Sequence, residues 1–253
     1  KNQYNNLDVA KAPSLVEMAE AAGYDTAWLS NQVKYGAWDT PITVIASEAN
    51  HQSWINHNSG ASSATNYYDL KLVDELKGLG EKGNMLVVIH SMGSHNSYDQ
   101  RYPMEFAKFS SKNDLGKYEN SILYTDYVLG QIYTSLKQMP NFQCLVYFSY
   151  HSDDVKNGLG HNASRFSWPM THIPAFICFS EDYSSKRREV LDQLKKAKDE
   201  PFTNDLMFEL MLGLMGIKSK EFYSSTNDIG SLEYDANKDR FKTMYGKHSI
   251  TEE

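Results

Sequence analysis

Two stretches of this 253-residue chain concentrate side chains that can bind a metal ion or a phosphoryl group. One runs His90-Ser-Met-Gly-Ser-His-Asn-Ser-Tyr-Asp-Gln-Arg-Tyr-Pro103, the other Ser149-Tyr-His-Ser-Asp-Asp-Val-Lys-Asn-Gly-Leu-Gly-His161. Imidazole and carboxylate are ligands that zinc accepts, with manganese as the alternative, so clusters of both suit a hydrolytic or group-transfer metal site. A divalent cation there would polarise a phosphoryl oxygen and sharpen a nucleophile. Taken singly, a loop histidine is ordinarily a hydrogen-bonded surface residue, and Asp153 and Asp154 ordinarily belong to a solvated turn or cap. Six of the eight histidines, His90, His95, His151, His161, His172 and His57, lie in or near such loops. Two histidine loops at the ends of two separate strands weaken the ordinary reading.

The elements that would hold these loops alternate between helical and extended periodicity. Helical spacing covers residues 13–22, with Pro13 near the start and Gly23 just past the end. It recurs from Asp39 with Pro41 in the first turn, over 69–79 and over 114–139, then at 186–198 and 203–216, where Thr203 is a candidate N-cap. Strands are expected at 24–30, 52–56, 84–90, 142–149 and 173–180. The run from Asn84 to His90 is apolar enough for a strand buried on both faces. This alternation predicts an α/β fold with a mostly parallel sheet flanked by helices on both faces, in which ligands bind outside the carboxyl ends of the strands. Residues 1–217 are expected to form that domain. Residues 218–253, polar and aromatic with little periodicity, are expected to wrap its surface or be partly ordered.

Composition narrows the partners. With 25 basic and 32 acidic side chains the net charge is −7, which disfavours nucleic acid and docking on an anionic leaflet through this region. No run approaches the roughly 20 apolar residues of a membrane helix, and Lys1-Asn-Gln-Tyr-Asn-Asn6 has no apolar signal region. Cys144 and Cys178, each in a strand-like run, read as buried free thiols, with one bridge between neighbouring strands as the alternative.

Residues 87–95, Val-Val-Ile-His-Ser-Met-Gly-Ser-His, with Tyr98 and Arg101-Tyr-Pro103, resemble the HxxGSH…RYP motif of the phosphoethanolamine transferases, in the sulfatase branch of the alkaline phosphatase superfamily. The likeness continues in order through Tyr118-Glu-Asn-Ser-Ile-Leu-Tyr-Thr-Asp126, Leu145-Val-Tyr-Phe-Ser149, Gly158-Leu-Gly-His161, Ile173-Pro174 and Ser180-Glu-Asp-Tyr183. Upstream, residues 13–24 and Trp28-Leu-Ser-Asn31 resemble the region after the family's nucleophile, so the likeness spans roughly residues 10 to 215. It implies a zinc-dependent transfer of phosphoethanolamine from phosphatidylethanolamine to lipid A, a core sugar or another envelope acceptor. It also implies the periplasmic face of a Gram-negative inner membrane, with membrane attachment through an N-terminal segment not in this chain. By position, His151 falls on a metal-binding histidine, and His95 and His161 on histidines that bind a second metal or the phosphoryl group.

Three departures accompany the resemblance. Where the family reads approximately Ser-Asp-His-Gly-Glu, this chain has Ser149-Tyr-His-Ser-Asp153. Tyr150 thus replaces an aspartate ligand, and a phenol is a poor ligand at neutral pH; Asp153 or Asp154 is the candidate substitute. The family's nucleophilic threonine and glutamate ligand have no counterpart before Pro13, which makes this chain the expected C-terminal part of a catalytic domain. Asn96 stands where the family has glycine. Two other readings stay open: a catalytically degenerate, envelope-binding domain of the same fold, and a sulfate- or phosphate-ester hydrolase of the same superfamily. No GxGxxG, GxxxxGK[ST], GxSxG or HExxH points outside it.

Overall fold

The computed structural model describes residues 12–36, 39–58, 65–80, 83–244 and 246–253; the stretch before residue 12, where the apolar signal and the nucleophile were sought, lies outside them. Helix α1 (Leu15–Ala21) begins with a reciprocal cap: the Glu17 N–H donates to Ser14 Oγ at 3.1 Å and the Ser14 N–H to Glu17 Oε2 at 2.9 Å. It ends at Gly23, whose φ of +85° suits a residue without a Cβ. The chain divides into two compact units.

The first unit comprises residues 19–142 with 155–160. Its sheet has the order β2-β1-β3, from β1 (Asp25–Ser30), β2 (His51–Trp54) and β3 (Met85–His90). Both pairings are parallel, because helices α2 (Thr40–Ala46) and α3 (Lys71–Gly78) carry the crossovers. Ser30 is in register with both Trp54 and His90, so three carboxyl ends meet at one edge of the sheet. Only the central strand β1 is buried along nearly all its length. Strand β3, expected to be buried on both faces, is partly exposed at five of its six residues, because it lies at the edge of the order. Leu72, Val73 and Leu76 of α3 form a buried stripe, and α3 packs against β1 and α4 (Asp114–Lys137). Asn113 caps α4 by accepting the Gly116 N–H at 2.8 Å.

The described residues of the second unit lie in 12–18, 143–154 and 161–253. Strands β4 (Cys144–Phe148) and β5 (Ala175–Phe179) pair antiparallel. Hydropathy marks a strand without giving its direction, so this pairing was not readable from the apolar runs. The register sets Cys144 opposite Phe179 and Leu145 opposite Cys178. Residues opposite one another share a face and sequence neighbours alternate, so the two thiols lie on opposite faces. Both cysteines are free, which removes the bridge alternative. Burial pushes the Cys144 thiol up to about 11. The face carrying Cys144, Val146, Ile177 and Phe179 packs against Tyr183, Met207, Leu210 and Leu214.

Helix α5 (Glu181–Lys186) was not anticipated; the Ser180 side chain caps it by accepting the Tyr183 N–H. Helix α6 (Arg188–Lys196) has no buried residue, as its charge pattern suggested. A 3-10 turn (Asn204–Leu206) leads into α7 (Met207–Met215). Thr203 does not cap that segment: its side chain makes no capping hydrogen bond. The described residues after 217 form 3-10 turns at Ser225–Asn227, Lys238–Arg240 and Ile250–Glu252, with a minimal antiparallel pair, β6 (Lys242–Thr243) and β7 (His248–Ser249). Phe241 and Asp228 are buried among them. Among the described residues, no helix is long and apolar enough to cross a membrane.

Candidate metal centre

In the second unit, the chain leaving β4 turns back on itself so that His151 and Asp153 meet His161. The Ser149 Oγ donates to the His151 carbonyl at 2.5 Å, and the Ser152 N–H donates to the Met170 carbonyl at 2.9 Å. His161 follows Gly158 and Gly160, whose φ values of +64° and +55° are costly for any residue with a Cβ. Asp153 Oδ1 lies 2.7 Å from His161 Nδ1 and 3.8 Å from His151 Nδ1, and the two imidazole centroids are 4.3 Å apart. One potential ligand atom from each of the three residues lies within 4.8 Å of the others.

The electrostatics separate the two histidines. Burial, and then the neighbouring His161, hold His151 below its ordinary range, keeping it neutral. The hydrogen bond that His161 donates to Asp153 raises His161, against the opposing effect of burial. Because the Asp153 carboxylate can only accept, the metal-free contact places a proton on His161 Nδ1. A metal bound between Oδ1 and Nδ1 would displace that proton.

A divalent metal suits this donor set. Ligands 2.0–2.1 Å from a tetrahedral zinc ion sit about 3.3 Å apart, close to the spacings seen here, and two imidazoles with one carboxylate match catalytic zinc sites that leave a fourth position open. Asp153 supplies the carboxylate, its side chain only 4% exposed. Asp154, also buried, turns to accept a hydrogen bond from Ser167 Oγ at 2.8 Å instead. Tyr150 is 60% exposed and sets its ring edge-on to His151 at 4.9 Å.

The other histidine loop belongs to the first unit. His90 closes β3, its Nδ1 3.2 Å from Ser30 Oγ, and burial pushes its imidazole down to about 4. His95 lies on the following loop, where Arg101 donates Nε to the His95 carbonyl at 3.2 Å and Nη2 to the Asn96 carbonyl at 2.8 Å. The main-chain carbonyl of Asn96 anchors that guanidinium, and the left-handed turn falls on the next residue, Ser97, at φ 59°. His172 pairs with Glu253 at the surface, and His57 engages Asn66 through its backbone N–H; neither joins the metal cluster. Asp69 was read only as the start of a helix. Its contacts with the His95 loop connect positions more than 20 residues apart, beyond the reach of any local pattern.

The family model described as Sulfatase matches residues 2–217. Over 179 residues the chain is 32% identical to phosphoethanolamine transferase EptA of Salmonella typhimurium, covering 62% of this chain and 31% of that protein. The chain spans about a third of the length of the first curated relatives it matches. Its fold is similar to the C-terminal periplasmic domain of EcEptC from Escherichia coli in complex with Zn, with a TM-score of 0.79 and 24% identity over 89% of this chain and 67% of that one. It is also similar to the integral membrane protein lipooligosaccharide phosphoethanolamine transferase A from Neisseria meningitidis, with a TM-score of 0.69 and 21% identity over 89% and 45% of the two chains. These likenesses establish an alkaline phosphatase/sulfatase-like α/β fold.

Proposed function

The chain belongs to the sulfatase family, and from that we propose that it is part of a phosphoethanolamine transferase, carrying phosphoethanolamine from phosphatidylethanolamine to an envelope glycolipid. In this reading it works on the periplasmic face of a Gram-negative inner membrane, where donor lipid and a lipid A or core-sugar acceptor both lie. The names of its relatives support the reaction class. The observation that carries the reading is the convergence of His151, Asp153 and His161 within 4.8 Å.

His151, Asp153 and His161 would hold zinc, with Asp153 supplying the carboxylate that Tyr150 cannot. Bound there, zinc supplies a positive charge that stabilises phosphoryl oxygens as negative charge spreads over them. His95 engages the phosphoryl group by hydrogen bonding. The nucleophilic hydroxyl is assigned to a threonine outside these 253 residues.

Headgroup release from fluorescent phosphatidylethanolamine, measured on the membrane-embedded full-length protein, tests the reading. His161→Ala should lower turnover at least a hundredfold and move the thermal midpoint by no more than a few degrees. Equal losses of turnover and stability would mark His161 as a core residue. Tyr150 favours one rival, a degenerate domain that binds envelope components without catalysis; a full-length protein with neither bound zinc nor headgroup release would support it. Turnover of an aryl sulfate in place of the lipid would favour the hydrolase.

A further inference from the structure

Asp69 is a buried carboxylate on the approach to α3, and it accepts three N–H donors. Met92 N–H reaches Oδ1 at 2.9 Å, Gly93 N–H reaches Oδ2 at 2.7 Å, and Asn31 Nδ2 reaches Oδ1 at 2.8 Å. Taking a carboxylate out of water is costly unless donors replace the lost hydration, and burial does raise Asp69 while these bonds draw it back. The source of the donors matters more than their number. Two are consecutive amides of the loop that carries His95. Consecutive N–H groups converge on one anion where the backbone alternates its handedness, and Gly93 supplies the left-handed residue at φ +58°. The third donor, Asn31, directly follows β1 and is fully buried. Its own N–H donates to the His90 carbonyl at 2.9 Å, and its Nδ2 also reaches the Tyr67 carbonyl at 3.0 Å. The Asp69 carboxylate therefore joins the residue that follows β1 to the loop that follows β3.

Arg101 grips the same loop at its other end, through the His95 and Asn96 carbonyls. It is 4% exposed, and its charge interacts with Asp69. His95 thus sits between two buried, opposite charges, one holding the amides before it and the other the carbonyls at and after it.

We propose that Asp69 and Arg101 are positioning residues for His95, fixing the loop between β3 and Arg101 so that the imidazole meets the phosphoryl group in one orientation. The proposal rests on the reading above that His95 acts on that group. A misplacement of about 1 Å in such a group can cost about a hundredfold in rate. Both residues act through His95, so their effects should vanish once the imidazole is gone.

The test is a pair of double-mutant cycles on the full-length protein, scored by headgroup release from phosphatidylethanolamine. Asp69→Asn keeps the shape but turns a donor toward an amide N–H, and Arg101→Lys breaks the fork from the opposite end. Each should lower kcat about ten- to a hundredfold with little change in donor KM, and should cost less than twofold when added to His95→Ala. Amide exchange at residues 92 and 93 should accelerate in Asp69→Asn. Where Asp69→Asn does not fold, the Arg101→Lys cycle decides alone. Additive losses in the His95→Ala background, or wild-type turnover in both single variants, overturn the proposal. Wild-type turnover in His95→Ala itself instead removes the reading on which it rests.

Discussion

Asp153 Oδ1 sits 2.7 Å from Nδ1 of His161, within hydrogen-bonding distance and at the centre of the one three-residue His/Cys/Asp/Glu group found among the described residues. The contact places the carboxylate where zinc would take it as a ligand beside His161. The cluster therefore depends on a residue two positions after His151, whereas the family pattern has its aspartate one position before it.

Asp153→Ala should therefore weaken zinc binding ten- to a hundredfold, measured by competition with a chromophoric chelator. Asp154→Ala should leave zinc affinity nearly unchanged, because that carboxylate is engaged with Ser167. Its cost should appear in thermal stability, since it removes a buried hydrogen bond. A larger loss of affinity in Asp154→Ala than in Asp153→Ala would reverse the assignment.

Two buried groups give the stability profile opposing slopes. Asp228, which accepts from the Tyr223 hydroxyl and the Gly230 N–H, is pushed up to about 6 by burial. Between its ordinary value near 3.8 and 6 the folded state holds a proton that the unfolded state has lost. Its contribution is therefore present below about 4 and is lost as pH rises through 6. Asp228→Asn should gain on the wild type by up to about 3 kcal/mol between pH 4 and 7. His90, pushed down to about 4 from 6.5, contributes stability above about 6.5 that is lost as pH falls toward 4. His90→Gln should flatten the acid limb of denaturation midpoints plotted against pH, and an unchanged limb would count against the burial of that imidazole.

Helix α4 carries its own control. A Cβ at Gly116 would come within 2.0 Å of the Ser110 carbonyl oxygen, whereas one at Gly130 would meet nothing within 4 Å. Gly130→Ala should stabilise by about 0.5–1 kcal/mol through helix propensity. Gly116→Ala should destabilise by about 1–3 kcal/mol, as overpacking does. Urea denaturation of both variants measures the difference, and equal shifts would refute the close approach at Gly116.

The elements were legible where one period ran long enough to register: α3 and α4 by their apolar stripes, β1 and β3 by compact apolar runs. Helix α5 escaped because six residues carry less than two turns of pattern, although Ser180 three positions before Tyr183 was a usable cap signal. The antiparallel pairing of β4 with β5 escaped because strand direction is set by tertiary contacts. In the candidate site, His151, Asp153 and His161 were legible as residue types on one loop. That Asp153 rather than Asp154 faces the imidazoles depends on the Ser167 contact, 13 residues further along. Asp69 carried no local signal for this role, because Asn31, Met92 and Gly93, which donate to its carboxylate, are all remote in sequence.

Zinc binding to the purified protein, titrated at neutral pH against a chelator of known affinity, tests the central claim most directly. The account predicts one ion per chain, bound at least a hundredfold more weakly after either His151→Ala or His161→Ala, with both variants still folded. Undiminished binding in those two variants would contradict it.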